Sequence, residues 1–157
     1  MSSLFKNILF ATDLSRQTEK LINHVRYFAI NLGAELHVVT VMEPPPDPAV
    51  VYHDMLDDSI LEAYEHELER QIENSLRETI NNYFSDLKTH RATLVGPIHR
   101  KIVNYARDYN VDLIIMGTAT KKGIAEKIFG SNTMKVIAQA SCPVMTINPL
   151  EIREQEE

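Results

Sequence analysis

The sequence predicts an α/β fold: an open five-stranded parallel sheet, Rossmann-like, with helices on both faces. Three observations point there. Short apolar runs alternate with longer stretches of helical periodicity, in the order β-α-β-α-β-α-β-α-β. The apolar runs lack polar–apolar alternation, as strands covered on both faces do. Helices separate successive strands, which rules out hairpins and makes neighbours parallel. The chain has 157 residues, enough for one domain with its own core.

The first strand is "NILFA", Asn7 to Ala11. Asp13 and Ser15 follow as helix-capping residues, and Leu21, Val25, Phe28, Ala29 and Leu32 recur at helical spacing. Gly33 is placed to stop that helix. "ELHVVTV", Glu35 to Val41, is a second strand rich in β-branched residues. "MEPPPDPAVVYHDMLDD", Met42 to Asp58, has too many prolines for a helix or a central strand and reads as an extended surface loop.

A long helix is expected from Ser59 to Leu87, with Leu61, Tyr64, Leu68, Ile72, Leu76, Tyr83 and Leu87 as its stripe. "ATLV", Ala92 to Val95, is a short third strand, and Gly96-Pro97 turns the chain into a helix carrying Ile98, Ile102, Ala106 and Tyr109. "DLIIM", Asp112 to Met116, is the fourth strand. The next helix is read with Met134, Ile137 and Ala138 inward. "CPVMTI", Cys142 to Ile147, is the fifth strand, its proline at the start where a missing N–H is tolerated. Residues 1–149 are expected to form the domain, and residues 150–157 an acidic tail.

Composition excludes several functions. The net charge of −6 argues against nucleic acid or an anionic membrane as partner, both of which call for a basic face. No run approaches the roughly 20 apolar residues of a membrane span, and the N-terminal apolar run is too short for a signal peptide. The one cysteine, Cys142, cannot close an internal disulfide, which suits a reducing cytoplasm. Its setting beside Pro143 reads as an inert packed thiol. "HDMLDD", His53 to Asp58, lacks metal-ligand spacing; no metal site and no catalytic residue is expected. "PPPDP" reads as plain loop.

In open parallel sheets ligands gather beyond the carboxyl ends of the strands. Two strand ends carry polar or flexible chemistry here: "ATDLS" places Asp13 at the rim, and "MGTAT" places Gly117 there. Gly130-Ser131 stands at the start of the last helix, where unpaired backbone N–H groups and the helix dipole favour an anion. Ser131 and Thr133 add hydroxyls, and Lys121 and Lys122 add charge nearby. The stretch matches neither the P-loop pattern nor GxGxxG.

With "KNILFATDLS", "GAELHVVTV", "VGPIHRKIVNYARDYNVDLIIMGT" and "GSNTMKVIAQASCPVMTI" together, the chain resembles the universal stress protein family. That resemblance implies strand order 3-2-1-4-5 and homodimers joined through the fifth strand. It implies an adenine nucleotide (ATP, ADP or AMP, with or without Mg²⁺) held by a signature G-x2-G-x9-G-[ST] after the fourth strand. Gly117 matches its first glycine and Gly130-Ser131 its end, while the middle glycine falls on Thr120. A β-branched residue resists the positive φ that glycine permits, though its hydroxyl can donate to phosphate.

The implied contact set is Ala11, Asp13, Val41, Met116, Gly117, Thr120, Gly130, Ser131, Asn132 and Thr133. Asp13 is assigned to the ribose or adenine, Val41 to the base, Met116 and Gly117 to the pocket floor, and Ser131 and Thr133 to phosphate. Three functions stay open on sequence: a nucleotide-binding regulatory module, a slow ATP hydrolase, and an interaction module that binds no nucleotide.

Overall fold

The computed structural model describes residues 4–43, 57–118 and 130–149. Its sheet has five strands in the order β3-β2-β1-β4-β5. They are β1 (Asn7–Ala11), β2 (Glu35–Met42), β3 (Thr89–Val95), β4 (Leu113–Gly117) and β5 (Val144–Ile147). Each adjacent pair is parallel, with Ala11 opposite both Val39 and Met116. The helices are α1 (Arg16–Glu19), α2 (Ile22–Leu32), α3 (Asp58–Tyr83), α4 (Ile98–Asp108) and α5 (Ser131–Gln139).

The continuous apolar runs are explained by burial on both sides of the sheet. In β1, Ile8 and Phe10 join a core with Val25 and Ala29 of α2 and Leu76 and Ile80 of α3. Leu9 and Ala11 face the other way, into a core with Ile102 and Ala106 of α4 and Val136 of α5. The carboxylate of Asp112 ties the starts of β4 and β1 together by accepting the amides of Lys6 (2.8 Å) and Asn7 (3.0 Å).

Several elements differ from the sequence reading, each for a physical reason. The helix after Ser15 is two pieces. Ser15 caps the short α1 by accepting the Thr18 amide, and the chain breaks at Lys20–Leu21 before α2. As expected, α2 ends on Gly33 at φ 62°, a left-handed conformation glycine adopts without strain.

Asp57 caps α3, which stops at Tyr83 instead of Leu87. Its 26 residues make about 39 Å of helix, whereas the eight residues of β2 span about 26 Å. Only Leu76 and Ile80 of the helix are buried, and Tyr64, read as part of the inner stripe, is 64% exposed.

β3 begins at Thr89, three residues before the expected start. Its first residues are polar because it is an edge strand, so no apolar run announces them. β5 is shorter than expected and starts at Val144. The inward face of α5 was misassigned: Thr133 and Val136 are buried, whereas Met134 and Ile137 are 50% and 42% exposed and Ala138 is exposed. A threonine can occupy the buried face because its hydroxyl finds a carbonyl partner.

Candidate functional site

The carboxyl ends of β1 and β4 are adjacent in the centre of the sheet, and α5 starts against them. Beyond β1 the chain makes one more sheet bond, from the Thr12 amide to Val39 O at 2.9 Å. Thr12 is buried and its hydroxyl accepts the amide of Leu14 at 3.0 Å. Leu14 sits at φ 60°, a left-handed conformation that costs a branched apolar residue on the order of 1 kcal/mol. Its side chain packs on the first core, which holds it there.

Asp13 is exposed at this turn. Its Oδ1 accepts the Ser15 amide at 2.9 Å and the Thr18 hydroxyl at 3.0 Å. Asp13 therefore shapes the turn, and capping of α1 falls to Ser15. Among the described residues nothing donates to its second oxygen, Oδ2. A carboxylate acceptor thus stands at the rim with one oxygen unengaged among the described residues.

Across from it, β4 ends at Gly117. A Cβ at Gly117 would meet Leu21 Cδ2 at 3.5 Å, Thr18 Cγ2 at 3.8 Å and Ile147 O at 3.9 Å, all ordinary contacts. The described residues do not demand glycine at this position, so its close-approach role rests on whatever else comes near. The Gly117 carbonyl accepts the Thr133 hydroxyl at 3.3 Å, and this bond pins the first turn of α5 to the tip of β4. Thr118 extends β4 by donating its amide to Ile147 O at 3.0 Å.

Gly130 is the N-cap of α5, with φ −67° and ψ 154°, and among the described residues no side chain caps the helix. The first intrahelical bond runs from the Met134 amide to Gly130 O. The amides of Ser131, Asn132 and Thr133 are therefore the unpaired donors every helix start leaves. Ser131 is exposed and Asn132 half-buried, while Thr133 is 4% exposed with its hydroxyl engaged on Gly117.

Met116 is buried and Val41 half-buried, both on the face covered by α4 and α5, as is Ala11. The structure thus brings Ala11, Asp13, Val41, Met116, Gly117, Gly130, Ser131, Asn132 and Thr133 to one edge of the sheet. Thr120, Lys121 and Lys122 lie outside the described residues, as do the prolines of the Met42–Asp58 stretch and the tail from residue 150. Sequence reading missed Thr12 and Thr18, the two buried hydroxyls beneath Asp13. The three-residue spacing from Ser15 to Thr18 was the available signal.

A separate open depression of about 640 Å³ lies between α3 and β3, lined by His66, Arg70, Glu73 and Arg91 among others. Glu73 there is already engaged by Arg91 Nε at 2.8 Å and Thr93 Oγ1 at 2.9 Å, and Arg91 holds its carboxyl below the usual range. No residue expected to form the site lines this depression.

The family model described as the universal stress protein family matches residues 4–148. The chain belongs to that family. It is 30% identical over 159 aligned residues to universal stress protein MJ0577 of Methanocaldococcus jannaschii, covering 94% of this chain and 97% of the relative. Universal stress protein A homolog 1 of Coxiella burnetii is 29% identical, with 91% and 96% covered.

Among solved structures, universal stress protein UspA of Lactobacillus plantarum superposes with a TM-score of 0.75 at 20% identity, covering 92% of this chain and 98% of that one. MJ0577 superposes at 0.70 with 26% identity, covering 98% and 99%. A universal stress protein in complex with cAMP shares the fold at 0.58 with 16% identity, covering 92% and 98%. Among the described residues of this universal stress protein, no helix is long and apolar enough to cross a membrane. No group of three or more His, Cys, Asp or Glu among them could hold a metal ion.

Proposed function

We propose that this universal stress protein binds an adenine nucleotide at the carboxyl ends of β1 and β4 and acts as a regulatory, stress-response module. One observation carries the reading. Asp13 Oδ2 and the helix start at Ser131–Thr133, both unengaged by side chains among the described residues, flank the same strand tips, joined through Gly117 and the Thr133–Gly117 bond. An acceptor beside a cluster of N–H donors matches a molecule with hydroxyls or an amino group at one end and phosphate at the other. One neighbour of the same fold is a universal stress protein in complex with cAMP, itself an adenine nucleotide.

In this reading Asp13 accepts from ribose hydroxyls or the adenine amino group. Ala11, Val41 and Met116 give the apolar floor for the base. The amides of Gly130, Ser131, Asn132 and Thr133, with the Ser131 hydroxyl, bind phosphate. Thr133 contributes its amide alone, since its hydroxyl is spent on Gly117. Thr120 would add a hydroxyl from the intervening segment.

Isothermal calorimetry with AMP, ADP, ATP and cAMP tests the proposal. It is run with and without Mg²⁺ because the described residues supply no metal-binding group of their own. Binding at micromolar to submillimolar concentration is expected. No heat with any of the four at millimolar ligand would leave the non-nucleotide interaction module as the better reading.

A homodimer through β5 is part of the same proposal. β5 is an edge strand, and Met134 and Ile137 of the neighbouring α5 are exposed. Soluble proteins cover such edges. Light scattering at micromolar concentration should give twice the 17.9 kDa chain mass, and a monomer would overturn this part. A reducing cytoplasm suits the single thiol of Cys142, whose pKa burial pushes up, keeping it protonated.

A further inference from the structure

We infer that Thr18 is the positioning residue of this site: its hydroxyl fixes the Asp13 carboxylate so that Oδ2 is presented to the ligand. The inference rests on the nucleotide-binding reading and assigns a role to a residue outside the contact set.

The grounds are a count of protons. Thr18 is buried, and its hydroxyl lies 3.0 Å from Thr12 Oγ1, 3.0 Å from Asp13 Oδ1 and 2.9 Å from the Ser15 carbonyl. The carboxylate and the carbonyl only accept, so the single Thr18 proton must go to one of them. The proton between the two threonines is then the one on Thr12. Thr12 accepts in turn from the Leu14 amide. Donation therefore runs one way, from Leu14 N–H to Thr12, to Thr18, and on to Asp13 or Ser15. Of the two acceptors Asp13 carries the charge, and a bond to a charged acceptor is the stronger kind, which favours Asp13 as the end of the chain.

The Thr18 methyl fixes the rotamer that makes this possible. Cγ2 packs 3.8 Å from the Cβ position of Gly117, beside Leu21. A β-branched side chain with its methyl held has its hydroxyl direction set as well. One side chain thereby reaches toward both halves of the site: it bonds the acceptor turn after β1 through its oxygen, and its methyl borders the side of Gly117 where a Cβ would stand.

The test compares Thr18→Val, which keeps the shape and removes the hydroxyl, with Thr18→Ser, which keeps the hydroxyl and removes the methyl. AMP affinity should fall about tenfold in Thr18→Val, the scale of one lost bond to a charged group. Thr18→Ser should fall between Thr18→Val and wild type. In an Asp13→Ala background Thr18→Val should cost nothing further, because the residue acts only through Asp13. Equal affinity of Thr18→Val and wild type overturns the inference, as does a full loss that persists without Asp13.

Amide exchange in the nucleotide-free protein separates this inference from the binding proposal. The Ser15 amide donates to the same Asp13 oxygen, so it should exchange about tenfold faster in Thr18→Val and much less so in Thr18→Ser. Unchanged Ser15 exchange sinks the role of Thr18 even where wild type binds nucleotide. Absence of nucleotide binding by wild type sinks the proposed function and leaves the exchange result to decide on Thr18. Thr18→Ala gives the same readouts in case the valine chain does not fold by circular dichroism.

Discussion

Leu21→Ala probes what holds the two strand tips in register. The Leu21 side chain is fully buried in the first core, and its Cδ2 lies 3.5 Å from the Cβ position of Gly117. Truncation to alanine removes three carbon groups, at about 0.8 kcal/mol each, or about 2.4 kcal/mol of lost burial. The gap is walled by strand residues of a five-stranded sheet, which cannot collapse inward freely, so a cavity cost adds to this. The expected loss is about 3–4 kcal/mol, which for a chain of 157 residues is about 10 °C in Tm.

Urea titration followed by circular dichroism measures the loss, with thermal melts as a check. The Gly117 amide resonance should shift at the same time, because Leu21 borders the side of Gly117 where a Cβ would stand. Gly117→Ala is the control. Its new methyl meets only ordinary contacts, so stability should change by less than about 1 kcal/mol. A Leu21→Ala loss under about 1 kcal/mol, with the Gly117 resonance unmoved, would refute the idea that this leucine supports the tip.

Ser131→Pro should fold normally yet lose nucleotide affinity about tenfold. Proline is favoured at the first helical position, and Gly130 already has the extended ψ of 154° that a following proline requires, but both donors proposed for phosphate at this position, the Ser131 amide and hydroxyl, disappear. Unchanged affinity by calorimetry would remove both Ser131 groups from the proposed site. Gly33→Ala should cost about 1 kcal/mol in urea titration, because φ is 62° although space is open around it; a neutral outcome contradicts the assigned backbone. Stability should also decline as pH falls below about 6.5, the ordinary histidine value. His37 is buried, with Nδ1 2.9 Å from the Tyr105 hydroxyl and its ring stacked on His90. Burial first, then the nearby His90, lowers its pKa, with Glu35 opposing. The unfolded chain therefore takes up that proton at a higher pH than the folded one, so this stability is present above about 6.5 and is lost as pH drops through the folded value. Urea midpoints between pH 7.5 and 5.5 should fall less steeply in His37→Gln; identical slopes would argue against it.

Legibility in the sequence followed the physics of each element. β1, β2 and β4 announce themselves because strands buried on both faces must be apolar throughout. The first residues of β3 do not, because Thr89, His90 and Arg91 lie on an edge where polar side chains reach water. The register of α5 was misread because Met134 and Ile137 are apolar yet outward, while Thr133 is polar yet inward with its hydroxyl on Gly117. In α3, periodicity continues past the end of the sheet, so spacing alone could not say that burial is confined to Leu76 and Ile80. The places of Asp13, Gly117 and Gly130-Ser131 at strand and helix ends are legible from the element pattern. The hydroxyl chain beneath Asp13 was not, since a buried threonine and a surface one look alike in a string of letters.

The turn after β1 and the start of α5 lie more than a hundred residues apart in the chain, and they meet only because the central strands pair. Half a chain cannot bring the two together, so in the proposed site occupancy would double as a report that folding has finished. Any small molecule gripping both sides therefore stabilises the entire domain, by about 2.7 kcal/mol at a hundred times its dissociation constant. Metabolite supply would then set how long each copy survives proteolysis, apart from any signal it sends.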